Sequence, residues 1–211
     1  MSGEVVLYDY WRSSAAYRVR IALNLKGVAY RTEVVDLAGG DQHNQQYRAL
    51  NPLGLIPVLE IDGHRLSQSL AIIDYLDVRF PKPKLVSADP VHRAVTLAQA
   101  LTIAAEIHPL QNLRVQNYLR DEMGQDMLAI GRWLHHWLGD GLAALEASAP
   151  DQGLFGGDAP NLADICLVPQ MYSARRFKVP LDRLPRLVRI DEALRDLPAF
   201  VAAAPEAVHA A

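Results

Sequence analysis

Residues 5–23 read VVLYDYWRSSAAYRVRIAL, and they predict a strand followed by a helix. Residues 5–8 form a short apolar run of the kind that makes a buried strand, and from 15 to 26 apolar residues recur at helical spacing. Ser13 and Ser14 therefore lie at a turn from strand to helix. The N–H groups and the dipole at a helix N-terminus stabilise a bound anion, such as a thiolate. The alternative is that Ser14 only caps the helix.

The residues that follow predict the rest of a small α/β domain. Residues 29–35 alternate as a strand does, and the polar segment 36–47 predicts a loop with at most a short helix. Asp62-Gly63 lies between two apolar alternations and predicts a β-hairpin, because both central residues of a type I′ turn have positive φ. Pro57 is expected at the start of the first hairpin strand, where a cis peptide would leave the Ile56 backbone exposed to an extended peptide.

A linker separates this domain from a helical one. Ser69 is expected to cap a helix that ends at Phe80. The prolines of residues 81–84 cannot continue that helix, so we place a domain boundary near residue 84. The predicted division is an α/β domain, 1–84, followed by an all-α domain, 85–211. The expected helices of the second domain are 90–123 with a kink at Pro109, 126–149, one from Asn161, and one or two within 185–204. The end of the chain, 206–211, is expected to be frayed.

Composition limits the classes of function. The 211 residues are 50% apolar and 21% charged, with a net charge of −3 and no basic block, so we expect a globular protein without a nucleic-acid partner. No secretion signal is recognisable, and no apolar run reaches the roughly 18 residues of a membrane span. The single cysteine, Cys166, cannot form an internal disulfide. These features favour a cytoplasmic protein that does not act on membranes.

Residue patterns for common catalytic sites are absent from the sequence. The seven histidines show no metal-ligand spacing with cysteine or carboxylates, so no metal site is expected. No Gly-x-Ser-x-Gly motif of a serine hydrolase occurs. Asn161 followed by Asp164 resembles a capping box, which makes Asp164 structural. We therefore expect the protein to use a nucleophile that it does not itself carry.

Eight motifs follow one another along nearly the whole chain. They are SS (13–14) with RVRIAL (18–23), ALNP (49–52), IP (56–57), QSLAII (68–73), PLQN (109–112), LAD (162–164), LVPQ (167–170) and RFKV (176–179). Together they closely resemble the zeta-class glutathione transferases, and in particular the maleylacetoacetate isomerases. The resemblance implies a glutathione-transferase fold with a thioredoxin-like N-terminal domain and a helical C-terminal domain. It also implies a homodimer that binds glutathione at the domain junction.

The resemblance further assigns residues to the glutathione site. Ser13 and Ser14 would lie beside the sulfur, with Ser14 donating a hydrogen bond to the thiolate. The other expected contacts are the Ile56 backbone with the cysteinyl part, Gln68 and Ser69 with the γ-glutamyl end, and Gln42, His108 and Asn112 as the pocket wall. Structural alternatives exist for three of them: Ser69 as a helix cap, Gln42 as a loop residue, and His108 as a polar group beside the Pro109 kink.

Three arginines are candidates to bind a dicarboxylic substrate. Arg176 matches the substrate-binding arginine of the family, Arg12 is adjacent to the two serines, and Arg114 is a further candidate. The planar fork of a guanidinium binds a carboxylate through two hydrogen bonds. The alternative for each is a solvated arginine at a helix end.

The implied activity is cis–trans isomerisation of maleylacetoacetate to fumarylacetoacetate, as in tyrosine breakdown. Addition of the glutathione thiolate would turn the cis double bond into a single bond that rotates, and elimination would return the trans isomer. The alternatives are maleylpyruvate isomerisation in gentisate breakdown, general glutathione conjugation or dehalogenation, and a non-catalytic glutathione-binding module. Many family members have cysteine where this chain has Ala15, so activities that need that cysteine are in doubt.

Overall fold

The computed structural model describes residues 4–209, which form two compact units. One unit contains the described residues up to Lys84 together with those from Asp196 onward, and the other contains Leu85–Arg195. The division after Lys84 lies where the sequence places a domain boundary. The residues from Asp196 onward belong to the first unit, which differs from the expected extent of the second domain.

The first unit is built on a mixed four-stranded sheet with the strand order β2-β1-β3-β4. β1 pairs with β2 in parallel and with β3 antiparallel, and β3 pairs antiparallel with β4. This is the thioredoxin-like topology that the family resemblance implies. Its elements are β1 Val6–Asp9, α1 Ser14–Leu25, β2 Arg31–Val34, α2 Gln45–Leu50, β3 Val58–Ile61, β4 His64–Ser67 and α3 Ser69–Arg79.

Local sequence explains most of these elements. Asp62 and Gly63 have φ values of 51° and 78°, as the predicted hairpin between β3 and β4 requires. The central strands bury Leu7 and Leu59 completely, while all four residues of the edge strand β2 are exposed. Residues 36–47 contain a 3₁₀ helix, Asp41–His43, and the start of α2, so this segment is more helical than predicted.

The C-terminal segment, residues 196–209, packs on α1 of the first unit. It contains α9 Pro198–Val201 and α10 Pro205–His209, and it buries Phe200 and Ala203. The Arg20 Nε donates to the Ala203 carbonyl at 2.9 Å, and the Asn24 Nδ2 donates to the Ala199 carbonyl at 3.0 Å. The frayed end predicted for 206–211 is wrong as far as His209, and the remainder lies outside the described residues.

The second unit is helical, with α4 Pro90–Leu101, α5 Leu113–Asp121, α6 Met127–Ser148, α7 Leu162–Arg176 and α8 Pro185–Arg195. The single kinked helix predicted over 90–123 is wrong. A π-helical turn, Thr102–Ile107, and a 3₁₀ turn, His108–Gln111, separate α4 from α5. Pro109 lacks an N–H to continue the ladder, and extended Asn112 starts α5 by accepting from Arg114 N at 3.1 Å. None of the described helices could cross a membrane.

The capping box of α7 is present as predicted. Asp164 is fully buried, and its carboxylate accepts hydrogen bonds at 2.9 Å from the backbone N–H groups of Phe155, Gly156 and Asn161. Burial raises the pKa of Asp164 to about 6, and the three N–H donors oppose that rise. Cys166, on the same helix, is buried and is not part of a disulfide. Both residues therefore belong to the structural core.

Candidate active site

The turn between β1 and α1 places the two serines in different positions. The Ser13 N–H donates to the Tyr10 carbonyl at 2.8 Å, and the Ser13 Oγ accepts from the Ala16 N–H at 3.2 Å. Ser13 is thus the residue that caps α1, while Ser14 is its first helical residue and is only 8% exposed. The helix begins one residue earlier than predicted. The alternative that Ser14 is the cap is therefore wrong.

Arg12 lies beside this turn with its side chain exposed. Its guanidinium carbon is 4.8 Å from the centroid of the Trp11 ring, and its Nη2 is 3.4 Å from the Tyr10 hydroxyl. No carboxylate of residues 4–209 forms an ion pair with it. The guanidinium charge is therefore not neutralised by an acidic side chain of the described chain.

A buried ion pair supports the turn, and the sequence did not reveal it. The Arg20 Nη1 lies 2.7 Å and 2.8 Å from the two carboxylate oxygens of Asp9, and both side chains are almost fully buried. The Arg20 Nη2 donates to the Trp11 carbonyl at 3.0 Å. Asp9 ends β1 and Arg20 lies on α1, so this pair fixes the backbone between the strand and the helix.

The loop before β3 presents an unpaired segment of backbone. The Ile56–Pro57 peptide bond is cis. Neither the N–H nor the C=O of Ile56 forms a hydrogen bond within residues 4–209. The Leu55 carbonyl, by contrast, accepts from the Tyr47 hydroxyl at 2.8 Å and from the Asn51 Nδ2 at 2.6 Å. Tyr47 and Asn51 therefore hold the loop while the polar groups of Ile56 remain available.

Gln68 and Ser69 form the junction between β4 and α3. Gln68 has a φ of 68°, a conformation that costs energy for a residue other than glycine. It occupies the cap position without a capping side-chain bond, and Ser69 is the first helical residue. The Ser69 Oγ instead accepts from the buried Arg18 Nε at 3.1 Å. The prediction that Ser69 caps α3 is therefore wrong.

Gln42 lies on the 3₁₀ helix Asp41–His43 and is buried, not part of an irregular loop. Its Nε2 is 3.1 Å from the His43 Nε2. Its Oε1 is buried and has no hydrogen-bond partner among the described residues. A buried amide oxygen without a donor is costly, so this atom is a candidate to accept from a bound molecule.

The remaining candidates lie on the second unit. The His108 Nδ1 is 3.4 Å from the Gln111 Nε2, and Gln111 forms a reciprocal pair of amide hydrogen bonds, 3.2 Å and 3.0 Å long, with Gln170. Arg114 is exposed, and its side chain forms no ion pair in the described part of the chain. Arg176 is the exposed last residue of α7, with its guanidinium carbon 4.4 Å from the centroid of the Phe177 ring.

The structure thus divides the candidates between two units. The first unit carries Arg12, Ser13, Ser14, Gln42, Ile56, Gln68 and Ser69, and the second carries His108, Asn112, Arg114 and Arg176. Among residues 4–209 there is no group of three or more acidic, histidine or cysteine side chains that could hold a metal ion. The first unit presents groups suited to an extended peptide with anionic ends: the N-termini of α1 and α3, the Ile56 backbone and the Gln42 amide oxygen.

Comparison with known proteins identifies the family. The model of the glutathione S-transferase N-terminal domain matches residues 12–79. A maleylacetoacetate isomerase of Pseudomonas aeruginosa is 48% identical, and the match covers 94% of this chain and 95% of that protein. The holo structure of a maleylpyruvate isomerase, described as a bacterial zeta-class glutathione S-transferase, has 42% identity and a TM-score of 0.93, with coverage of 96% and 97%.

A third relative was solved with ligands. This maleylacetoacetate isomerase of Anaeromyxobacter dehalogenans, with bound dicarboxyethyl glutathione and citrate in its active site, has 40% identity and a TM-score of 0.86, and the match covers 97% of this chain and 95% of that one. The similarities extend over both units and over nearly the full length of each relative. The chain therefore belongs to the glutathione transferase family, in the zeta-class group whose members carry the names maleylacetoacetate isomerase and maleylpyruvate isomerase.

Proposed function

We propose that this protein is a glutathione-dependent cis–trans isomerase that converts maleylacetoacetate to fumarylacetoacetate in tyrosine and phenylalanine breakdown. The observation that carries the proposal is the turn between β1 and α1. Ser13 caps α1, and Ser14 is the first residue of the helix, at the N-terminus where an anion is stabilised. The identity to maleylacetoacetate isomerases over both units supports the choice of reaction.

The residues of the first unit fit a bound glutathione. The Ile56 N–H and C=O can pair with the cysteinyl backbone, as an added strand would. Ser69 and the adjacent start of α3 offer donors to the γ-glutamyl carboxylate, and Gln68 holds a strained backbone beside them. The Gln42 Oε1 can accept from an N–H of the peptide. For His108 and Asn112, contact with glutathione stays a prediction.

Ser14 would set the ionisation of the bound sulfur. A free thiol has a pKa near 8.5, so only a few per cent is thiolate at neutral pH. A hydroxyl donor and a helix N-terminus both favour the anion and lower that pKa. When bound, glutathione supplies the thiolate that adds to the cis double bond and leaves again after rotation. The protein's part is to hold that charge at Ser14 and to orient the acid.

The exposed arginines would orient the acid through its carboxylates. Arg12 lies next to the serines, and no carboxylate of the described chain pairs with it. We assign Arg176 to the other carboxylate and Arg114 to an auxiliary role. A relative that binds dicarboxyethyl glutathione, which is glutathione joined to a four-carbon diacid, supports a site of this kind.

Maleylpyruvate is the second candidate substrate, because a maleylpyruvate isomerase matches this chain with a TM-score of 0.93. The test is the loss of ultraviolet absorbance of each maleyl acid, measured with and without glutathione. A higher kcat/KM for maleylacetoacetate supports the proposal, and a higher value for maleylpyruvate moves the assignment to the shorter acid. If neither acid reacts, the isomerase proposal is wrong.

The same measurements separate the other classes. General conjugation or dehalogenation would appear as turnover of neutral electrophiles or α-halo acids that exceeds isomerisation. A non-catalytic binding module would bind glutathione without turnover of any substrate. Ala15 gives the turn no thiol of its own, so we expect isomerisation to dominate.

We also propose that the enzyme is a cytoplasmic homodimer. The support for the dimer is the family resemblance, together with exposed apolar side chains such as Val78 on α3 and Val91 and Val95 on α4. Light scattering of the purified protein tests it, and a monomeric mass at micromolar concentration would contradict the dimer. The location follows from the single buried thiol and from the catabolic role proposed above.

A further inference from the structure

We infer that Trp11 is a positioning residue that holds Arg12 for a substrate carboxylate, and that the C-terminal segment holds Trp11. The inference rests on the proposed role of Arg12 as a carboxylate ligand. The proposed mechanism gives no role to the Trp11 indole or to residues 196–209, which belong to the first unit. The inference gives a role to both.

The Trp11 ring connects Arg12 with the C-terminal segment. The Arg12 guanidinium carbon lies over the ring, 4.8 Å from its centroid. The imidazole of His209, on α10, is stacked on the same indole with a centroid distance of 4.2 Å and an interplanar angle of 15°. Arg12, Trp11 and His209 therefore form one stacked group at the edge of the proposed thiolate turn.

The backbone of Trp11 is tied to the same segment. Its carbonyl accepts from the Arg20 Nη2 at 3.0 Å, and the Arg20 Nε donates to the Ala203 carbonyl at 2.9 Å. The Nη1 of the same arginine, Arg20, donates to both carboxylate oxygens of Asp9. Both the ring and the carbonyl of Trp11 thus depend on contacts with residues 196–209.

This arrangement suits an arginine that must remain available. An exposed arginine has many rotamers, and binding must fix one of them at an entropic cost. An acidic partner would fix it but would compete with the substrate carboxylate. An indole fixes it through its π face and leaves the N–H groups at the edge of the guanidinium able to bind a carboxylate. Trp11 therefore orders Arg12 without neutralising it.

The test compares Trp11→Leu and Trp11→Phe with a control, Trp137→Leu, in the full-length protein. Trp137 lies on the second unit, 5.6 Å from the Trp133 ring, and has no assigned role in the site. We expect Trp11→Leu to raise the KM for the maleyl diacid about three- to tenfold with kcat nearly unchanged. Trp11→Phe keeps an aromatic face and is the variant less disruptive to folding. It should give a smaller rise in KM. The control should leave KM unchanged.

A double-mutant cycle with Arg12→Ala decides whether Trp11 acts through Arg12. We expect the double variant to be no worse than Arg12→Ala alone, and the dissociation constant of glutathione, measured by calorimetry, to stay within about twofold in all variants. The inference is overturned if the effects of the two substitutions on KM are additive. It is also overturned if the affinity for glutathione falls by as much as the affinity for the diacid. If Arg12→Ala itself leaves the KM unchanged, the proposed role of Arg12 fails, and the inference fails with it. His209→Ala should reproduce part of the Trp11→Leu effect.

Discussion

Replacing Ser13 and Ser14 one at a time separates helix capping from thiolate stabilisation. The two serines are adjacent, yet the Ser13 Oγ caps α1 by accepting a hydrogen bond from the Ala16 N–H, and Ser14 is the first helical residue. Ser14→Ala removes a hydroxyl from the proposed sulfur site and leaves the cap in place. Ser13→Ala removes the cap and leaves the hydroxyl of Ser14. Each variant is therefore the matched control for the other.

The expected magnitudes differ in kind. A hydrogen bond to a charged group contributes about 1.5–3 kcal/mol, and 1.36 kcal/mol corresponds to one pKa unit. Ser14→Ala should therefore raise the thiolate pKa of bound glutathione by about one to two units, toward the free value near 8.5. Ser13→Ala loses an N-cap worth about 1 kcal/mol, which lowers the Tm of a protein of this size by about 2–4 °C.

The assay is a pH titration of the thiolate absorbance of bound glutathione, combined with thermal unfolding of each variant. We expect a raised thiolate pKa for Ser14→Ala, and an unshifted pKa with a lowered Tm for Ser13→Ala. If Ser13→Ala shifts the pKa and Ser14→Ala does not, the two roles are assigned the wrong way round. If neither shifts it, the helix N-terminus alone stabilises the anion and the serine hydroxyl is not catalytic.

Three further predictions concern other parts of the chain. Arg176→Ala should raise the KM for the diacid about tenfold, as expected for a lost bidentate carboxylate contact, with the calorimetric glutathione affinity intact; a fall in that affinity would refute the division of roles. Arg20→Met leaves Asp9 buried without its partner and should cost about 3–5 kcal/mol in urea unfolding, whereas a double variant with Asp9→Leu should recover much of it. The pKa of Asp164 is raised from 3.8 to about 6, so the folded state binds its proton more tightly than the unfolded chain does. The resulting gain in the free energy of unfolding is full below about pH 4 and is lost as the pH rises through 6. Relative to Asp164→Asn, urea unfolding should show a loss of about 3 kcal/mol across that window, and parallel pH profiles of the two proteins would contradict it.

Short-range patterns in the sequence predicted much of the fold. The Asp62-Gly63 hairpin and the Asn161–Asp164 capping box are both present, because each depends on residues a few positions apart. The helix predicted over 126–149 is present as α6, Met127–Ser148, and Asp126 caps it by accepting from the Ala129 N–H at 2.7 Å. In these cases the turn chemistry and the capping chemistry lie within the same short segment.

The predictions that failed depend on distant or geometric partners. Ser69 resembles a cap locally, but its hydroxyl accepts from Arg18, which lies 51 positions away. The left-handed conformation of Gln68 carries no sequence signal, since the side chain is not one that favours positive φ. Apolar spacing continues through residues 102–111 even though the helix changes its hydrogen-bond pattern there. The spacing of apolar residues indicates which face of a helix is buried. It does not indicate the hydrogen-bond partner of a side chain or whether the helix is α, π or 3₁₀.

The return of residues 196–209 to the first unit has a consequence for biosynthesis. The strands and helices before Lys84 leave the ribosome early, but Arg20 then lacks its Ala203 carbonyl and Trp11 lacks the His209 ring. More than half of the chain must still be translated before these contacts can form. We therefore expect a nascent chain stopped after the second unit to carry a sheet domain that is open to proteolysis near the turn, and the completed chain to be protected.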